Sequence, residues 1–269
     1  MSSQDPIQQL ANDINSLNSR VQSLHAEVRL ASLRDQVEDL TTTVNNLVQD
    51  IKDLRSRGYV FGKEIENKAA DLARQWTAMH GNIISRIEQE SALLQQALWP
   101  IEAQMTQLHN VSSDLYRGRP LYNQLSNVVS NLDSKVNAAE SSIHGMYNSF
   151  QQEVQDITSH LNKVNWTLTQ LAEASFQLLA KEGAIMAVNA VWVQGGKEDS
   201  ADPRGVLYLT DQRLIFEQKQ EIATKKVLFI TTEKEKVQKL LLEVPVALIE
   251  KAQAKKQGLF GHEDHIYLT

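Results

Sequence analysis

Eight apolar residues stand seven apart without a miss: Val129, Val136, Ile143, Phe150, Ile157, Val164, Leu171 and Leu178. A strand alternates with a period of two, whereas a seven-residue row with companions three or four positions away is one stripe of an α-helix. Leu125, Leu132, Ala139 and Met146 flank the first half of the row, and Val154, Leu161 and Leu168 the second. A helix over about 121–181 would be roughly 90 Å long, and it cannot bury such a stripe alone. The eight residues are therefore the expected association seam, with partner helices drawn from the same chain or from another copy.

Two earlier segments carry seams of their own. Ile7, Ile14, Val21 and Val28 pair with Leu10, Leu17 and Leu24, and a second series runs Leu30, Val37, Val44, Ile51 with Leu33, Leu40, Leu47 and Leu54. The two-residue phase jump between them contains neither glycine nor proline, so the spacing predicts one helix over about 6–56 with a register break. Asp5 and Pro6 suit its first turn, and Gly58 and Gly62 its end. A second helix over about 63–115 follows, with an expected kink at Pro100. Arg117-Gly118-Arg119-Pro120 reads as the turn into the third. Three segments of similar length joined by short turns imply an antiparallel three-helix coiled-coil bundle over 1–181. Its apolar seams imply self-association into a dimer or higher oligomer.

Near Lys181-Glu182-Gly183 the apolar period falls to two. Strands are expected at Ile185–Val193, Val206–Thr210, Arg213–Glu217, Lys226–Thr231, Val237–Glu243 and His265–Leu268, with a loop at Gln194–Gly205. The fold class is thus mainly α with a C-terminal β module over 182–269.

Composition narrows the chemistry. The chain has no cysteine, which removes disulfides, thiolate nucleophiles and cysteine metal ligands together. Its net charge is −6, and residues 1–181 hold 15 Lys and Arg against 20 Asp and Glu. That balance lacks the concentrated basic surface nucleic acid requires. The first residues show no signal-peptide pattern and no stretch is apolar enough to span a bilayer, so the expectation is cytoplasmic, with any membrane contact peripheral. No phosphate-binding loop, dinucleotide fingerprint or nucleophile elbow is present. His262-Glu263-Asp264-His265 reads as a turn between strands, the remaining histidines as solvated or bundle-edge residues, and Trp76, Trp99, Trp166 and Trp192 as packing residues. No catalytic residue, metal or cofactor is expected.

The run Gly205-Val-Leu-Tyr-Leu-Thr-Asp-Gln-Arg-Leu-Ile-Phe216 resembles the hairpin segment of GRAM and bacterial pleckstrin-homology-like domains, and Val244-Pro245-Val246 leading to Ile249 is similar to a later passage of that family. The resemblance implies a bent antiparallel sheet closed by a C-terminal helix, and lipid or protein binding without catalysis. Such a helix is not legible before Thr269, which implies either a truncated module or one completed by a partner. Phosphoinositide-binding members use basic residues after the first strand. The corresponding loop here offers Lys197 and Arg204 against Glu198, Asp199 and Asp202. A second basic surface, Lys251, Lys255 and Lys256, precedes Leu259 and Phe260, which serve either as an apolar tip or as core. The expected function is a non-enzymatic scaffold or adaptor, self-associating through the helices and binding an anionic membrane surface or a protein through the sheet. The other expectation is a structural or regulatory coiled coil belonging to a larger protein, without lipid binding.

Overall fold

The computed structural model describes residues 5–193, 198–227, 230–257 and 263–269, with the backbone alone at 221–227, 230–235, 257 and 263. Five α-helices come first among the described residues: α1 (Pro6–Glu27), α2 (Ala31–Ser56), α3 (Glu64–Asn110), α4 (Leu115–Gly145) and α5 (Asn148–Ala172). Six strands follow: β1 (Ala184–Val191), β2 (Arg204–Thr210), β3 (Arg213–Val227), β4 (Ile230–Pro245), β5 (Ala252–Gln257) and β6 (Glu263–Leu268). The chain divides into two compact units, residues 1–46 with 68–155, and residues 47–67 with 156–269.

In the first unit, Asp5 caps α1 by accepting from the Ile7 N–H at 3.1 Å. The seam residues Leu10, Ile14, Leu17, Val21 and Leu24 are all buried. The phase jump then breaks the helix, where a continuous one was expected. A two-residue step turns an α-helix by about 200°, which would drive either Val28 or Leu30 into water. Instead Val28–Leu30 forms a turn in which Leu30 takes φ 51°, a left-handed conformation that costs a non-glycine residue roughly 1–2 kcal/mol. Both Val28 and Leu30 are thereby buried, each worth about 1.5–3 kcal/mol, so burial outweighs the strain. The hydroxyl of buried Ser91 on α3 donates to the Val28 carbonyl at 2.9 Å.

Cross-helix contacts set the directions. Asp13, Arg20 and Gln36 meet Arg119, Asp133 and Tyr147 in turn, so α1 and α2 run parallel to α4 and the residues that follow it. His25, Arg34 and Thr41 meet Glu102, Glu88 and Trp76, so α3 runs antiparallel to them. Trp76 donates its indole N–H to Thr41 and stacks on Phe150 with centroids 5.1 Å apart.

The helix expected at about 121–181 is in fact two, and it begins earlier. Asp114 caps α4 by accepting from the N–H groups of Tyr116 and Arg117 at 3.0 and 3.2 Å, so Arg117-Gly118-Arg119-Pro120 lies inside the helix and not in a turn. Gly118 is explained by close packing: a Cβ there would meet Leu10 Cδ2 at 2.8 Å. The second helix correspondingly ends at Asn110 and not near 115. Between α4 and α5 the buried series steps Ala139, Ile143, Tyr147, Phe150, Val154. Two consecutive steps of four are a stutter in the heptad pattern. Tyr147, fully buried, takes the place expected for Met146, which is 39% exposed. The chain tightens there, with the N–H groups of Met146 and Tyr147 donating three residues back, to Ile143 and His144.

In the second unit, Leu47, Ile51, Leu54, Ile157, Leu161, Val164 and Leu168 continue the buried seams. Arg55 ties the following turn by donating to the carbonyls of Tyr59, Phe61 and Gly62. The sheet is an antiparallel meander, order β1-β2-β3-β4, while β5 and β6 pair with each other. Two expected strands change. Lys226–Thr231 comprises the end of β3 and the start of β4, and Val237–Glu243 is the later part of a β4 that is 16 residues long. Ala187, Val206, Tyr208 and Ile215 form a core on one sheet face, packed by Trp166 and Leu171 of α5, Ala174, Phe176 and Leu240. The face is thus covered by the helix that precedes the sheet, whereas the resemblance implied one that follows it. Thr167 of α5 also accepts from the Ala187 N–H at 3.0 Å, satisfying a donor of edge strand β1.

Ser91→Ala leaves the Val28 carbonyl buried without its donor and is expected to lower the free energy of unfolding by about 1–3 kcal/mol. Ser134→Ala, which removes only an exposed hydroxyl bonded to its own helix, is expected to stay within about 0.5 kcal/mol. Urea denaturation of the two variants makes the comparison, and equal effects would refute the role given to Ser91.

Candidate functional site

The residues between α5 and β1 form the most highly bonded polar region of the second unit. On β3, period two puts Arg213, Ile215 and Glu217 on one face and Leu214 and Phe216 on the other. The face carrying the two charged residues meets α5 and the connector 173–183. Two clusters result.

The first is built on Glu182, whose side chain is 0% exposed and whose partner Arg213 is 8% exposed. Arg213 grips the carboxylate with Nε and Nη2 at 2.9 and 2.6 Å, the bidentate geometry for which guanidinium is suited. Its remaining donors reach Glu243 and the Gln177 carbonyl. The Thr210 hydroxyl lies 2.6 Å from Glu182 Oε1, and its oxygen accepts from the N–H groups of Gln212 and Arg213, closing the β2–β3 turn. Asp211 completes the clamp: its carboxylate accepts from the Gly183 N–H and its own N–H donates to the Gly183 carbonyl. Thus Thr210, Asp211 and Arg213 of the Leu-Thr-Asp-Gln-Arg run all hold Glu182-Gly183. The chain reaches them through Lys181 at φ 68°.

Burial alone would raise the Glu182 pKa, but the hydrogen bonds from Arg213, Thr210 and the Leu179 N–H outweigh it and hold the carboxyl down at about 2. The same pairing raises the Arg213 pKa further above its usual range.

The second cluster is centred on Glu217, also fully buried. Its carboxylate accepts from the Ser175 N–H at 2.6 Å, the Gln238 amide at 3.0 Å and the Tyr208 hydroxyl at 3.3 Å, and lies 3.5 Å from Lys219 Nζ. Burial pushes its pKa up, yet the Ser175 and Gln238 bonds and the Lys219 charge bring it below the ordinary value. Burial raises the Tyr208 phenol, and the neighbouring Glu217 charge adds to the rise. The same Tyr208 hydroxyl lies 3.2 Å from the Gln170 carbonyl at the end of α5, so its one proton is shared between the two acceptors. Gly205, which opens the motif, passes so near β3 that a Cβ would lie 1.9 Å from the Glu217 carbonyl oxygen.

The sequence-predicted site residues are distributed differently. Lys197, Leu259 and Phe260 lie outside the described residues. Arg204 forms an exposed ion pair with Glu198 at 2.6 Å. Lys251, Lys255 and Lys256 are exposed, but Lys255 and Lys256 are consecutive in β5 and so point to opposite faces. Lys256 stands opposite Asp264, and Lys255 opposite His265 with its Nζ 5.3 Å from the Tyr267 ring centroid. The expected basic patch therefore does not converge. Of the heptad seam, Val129, Val136, Ile143, Phe150, Ile157 and Val164 are buried within the single chain. Leu171 packs beside the sheet core. Leu178 lies past the end of α5, 37% exposed, because the connector's main chain is taken by β3 before the helix can continue. Trp99, expected to pack, is 77% exposed.

Sequence reasoning passed over Glu182, Asp211 and Glu217. A signal was present: two opposite charges, Arg213 and Glu217, flank the apolar run Leu214-Ile215-Phe216 four residues apart, on one face of a strand, and require buried partners there.

No family model matches the chain, and no curated protein matches it.

Because the folded pKa of Glu182 is depressed, its contribution to stability is complete above the ordinary glutamate value of 4.5 and is lost as pH falls towards about 2. Glu182→Gln is expected to cost roughly 3–5 kcal/mol at neutral pH, by leaving Arg213 without its buried partner. It should also flatten the decline in melting temperature between pH 5 and pH 2.5. An unchanged slope in thermal melts would contradict the assignment.

Proposed function

We propose that the chain is a non-enzymatic scaffold or adaptor, in which a three-helix coiled-coil bundle carries a pleckstrin-like binding module of the GRAM type. One observation carries this reading. The motif by which the β module resembles that family spends its polar residues, Thr210, Asp211, Arg213 and Glu217, on one another and on the chain leaving α5. Of these, Arg213 and Glu217 are buried charges, and both are occupied by structural partners. A clamp of this kind fixes a module to the helix before it, as an adaptor requires. The meander β1–β4 with a second small sheet supports the pleckstrin-like fold, α5 supplying the cover.

Between lipid and protein as the bound partner, the geometry favours protein. Lys255 and Lys256 face opposite ways and Arg204 is paired with Glu198, so these three cations do not act together, and each contributes only about 1 kcal/mol near an anionic leaflet. Little sedimentation with phosphatidylserine vesicles is expected at low salt. Strong sedimentation that Lys255→Glu with Lys256→Glu abolishes would reverse the preference.

Self-association is kept in this reading, but not through the helical part of the seam, since Val129 to Val164 are buried within one chain. The apolar side chains left outside, notably Leu93 and Trp99 of α3, are the surface assigned to it. Light scattering is expected to give a multiple of 30.3 kDa, reduced to one copy by Leu93→Glu with Trp99→Glu. A single-chain mass for the unaltered protein at high concentration would remove oligomerisation from the proposal.

A further inference from the structure

After Ala172 the chain leaves regular structure until β1 begins at Ala184. Between Glu173 and Leu179 it is held mainly by its main chain. The Glu173 carbonyl accepts from Gln238 at 2.7 Å, the Ser175 N–H donates to Glu217 at 2.6 Å, and the Gln177 carbonyl accepts from Arg213 at 3.1 Å. Two of these three gripping side chains, Arg213 and Glu217, are buried charges. Within this frame Ala174 and Phe176 pack their side chains on the sheet core, and the Glu173 carboxylate lies 4.0 Å from Lys219 Nζ of β3. The Phe176 ring meets the edge of Tyr208 at a centroid distance of 5.0 Å. Ser175, Gln177, Leu178 and Leu179 stay exposed.

Main-chain hydrogen bonds supply affinity, and sockets for alternate side chains supply selectivity, when a domain takes a short peptide. The arrangement around Phe176 has both parts, with a ligand that is covalently attached. We infer that this face of the sheet is a peptide-binding groove, occupied in cis by residues 173–179, which accepts in trans a short segment with a small residue two positions before an aromatic one. The inference rests on reading the sheet as a binding module and names the chemistry of its partner.

The chemistry of selection follows from the contacts. Glu217 requires an N–H one residue before the aromatic, so a proline at that place is excluded. Arg213 requires a carbonyl one residue after it. Ala174 is half-buried beside the core and sets a limit on size two residues before the ring. The attached segment competes at an effective concentration in the millimolar range, so the groove is closed to a free peptide of equal intrinsic affinity until the cis contact is weakened.

The test uses the full chain and a fluorescein-labelled peptide of residues 172–180. Phe176→Ala empties the aromatic socket of the cis segment while leaving Glu217, Arg213 and Tyr208 in place. Fluorescence anisotropy is expected to show the peptide binding this variant about tenfold or more tightly than the unaltered chain. Replacing the peptide's own phenylalanine by alanine, or adding Glu217→Gln to the protein, is expected to remove the gain. Equal binding to both chains, no binding to a variant whose circular dichroism is unchanged, or indifference to the peptide's phenylalanine would each overturn the inference. Should Phe176→Ala fail to fold, the unaltered chain is titrated to millimolar peptide, where displacement must speed hydrogen exchange at the Ser175 amide; unchanged exchange also overturns it. Failure here leaves the vesicle and light-scattering outcomes untouched, so the adaptor reading stands or falls separately.

Discussion

A guanidinium placed on the inward face of a strand has to find compensation for lost water, and the second unit is organised by how Arg213 finds it. Glu182 provides a bidentate carboxylate, Glu243 a second, and the Gln177 carbonyl takes what remains. Since Glu182 precedes β1 and Gln177 follows α5, satisfying one side chain fixes where the connector runs. Glu217 repeats the logic two turns of the pleat later with Ser175 and Gln238. Such pairs contribute little net stability over apolar residues of the same volume, but breaking one is costly. Their effect is to make any other path of residues 173–183 expensive.

The helices answer to a different constraint, that a helix offers an apolar stripe only when steps of three and four alternate. Where the pattern departs by two residues, at Val28 and Leu30, the α-helix cannot absorb the rotation, and a left-handed residue restores the stripe. Where it departs by a stutter, at Ile143, Tyr147 and Phe150, two tighter hydrogen bonds are enough and the backbone stays right-handed. Both departures keep large side chains inside. Both also explain why helices that look continuous by composition end where they do.

Much of this was legible beforehand. The seams at Leu10–Val28, Leu30–Leu54 and Val129–Val164 named buried residues, because helical periodicity is a local property of the chain; Ile7, in the first turn, is 45% exposed. The β2–β3 hairpin was readable from its alternation and its Asp211-Gln212 turn. The ends were less so. Asp114 acts as a cap and Gly118 as a packing glycine, yet the neighbouring Arg-Gly-Arg-Pro looked like a turn, since composition does not distinguish a glycine needed for φ from one needed for space. Leu178 kept the heptad spacing but not the helix. A repeat in sequence cannot register that a strand 40 residues away will take the backbone. The basic patch failed for a related reason: neighbours in sequence, Lys255 and Lys256, are opposites in a strand.

The sequence by itself determined the helical seams, the change of period near Glu182 and the motif hairpin, all of which follow from the spacing of apolar residues within a few turns or one pleat. Tertiary structure alone decided that Thr210, Asp211, Arg213 and Glu217 face the connector, that α5 covers the sheet, and that residues 173–179 lie in a socket built around Tyr208. Those outcomes depend on which buried charge meets which backbone group across tens of residues. Desolvation settles that choice only once the partners are brought together.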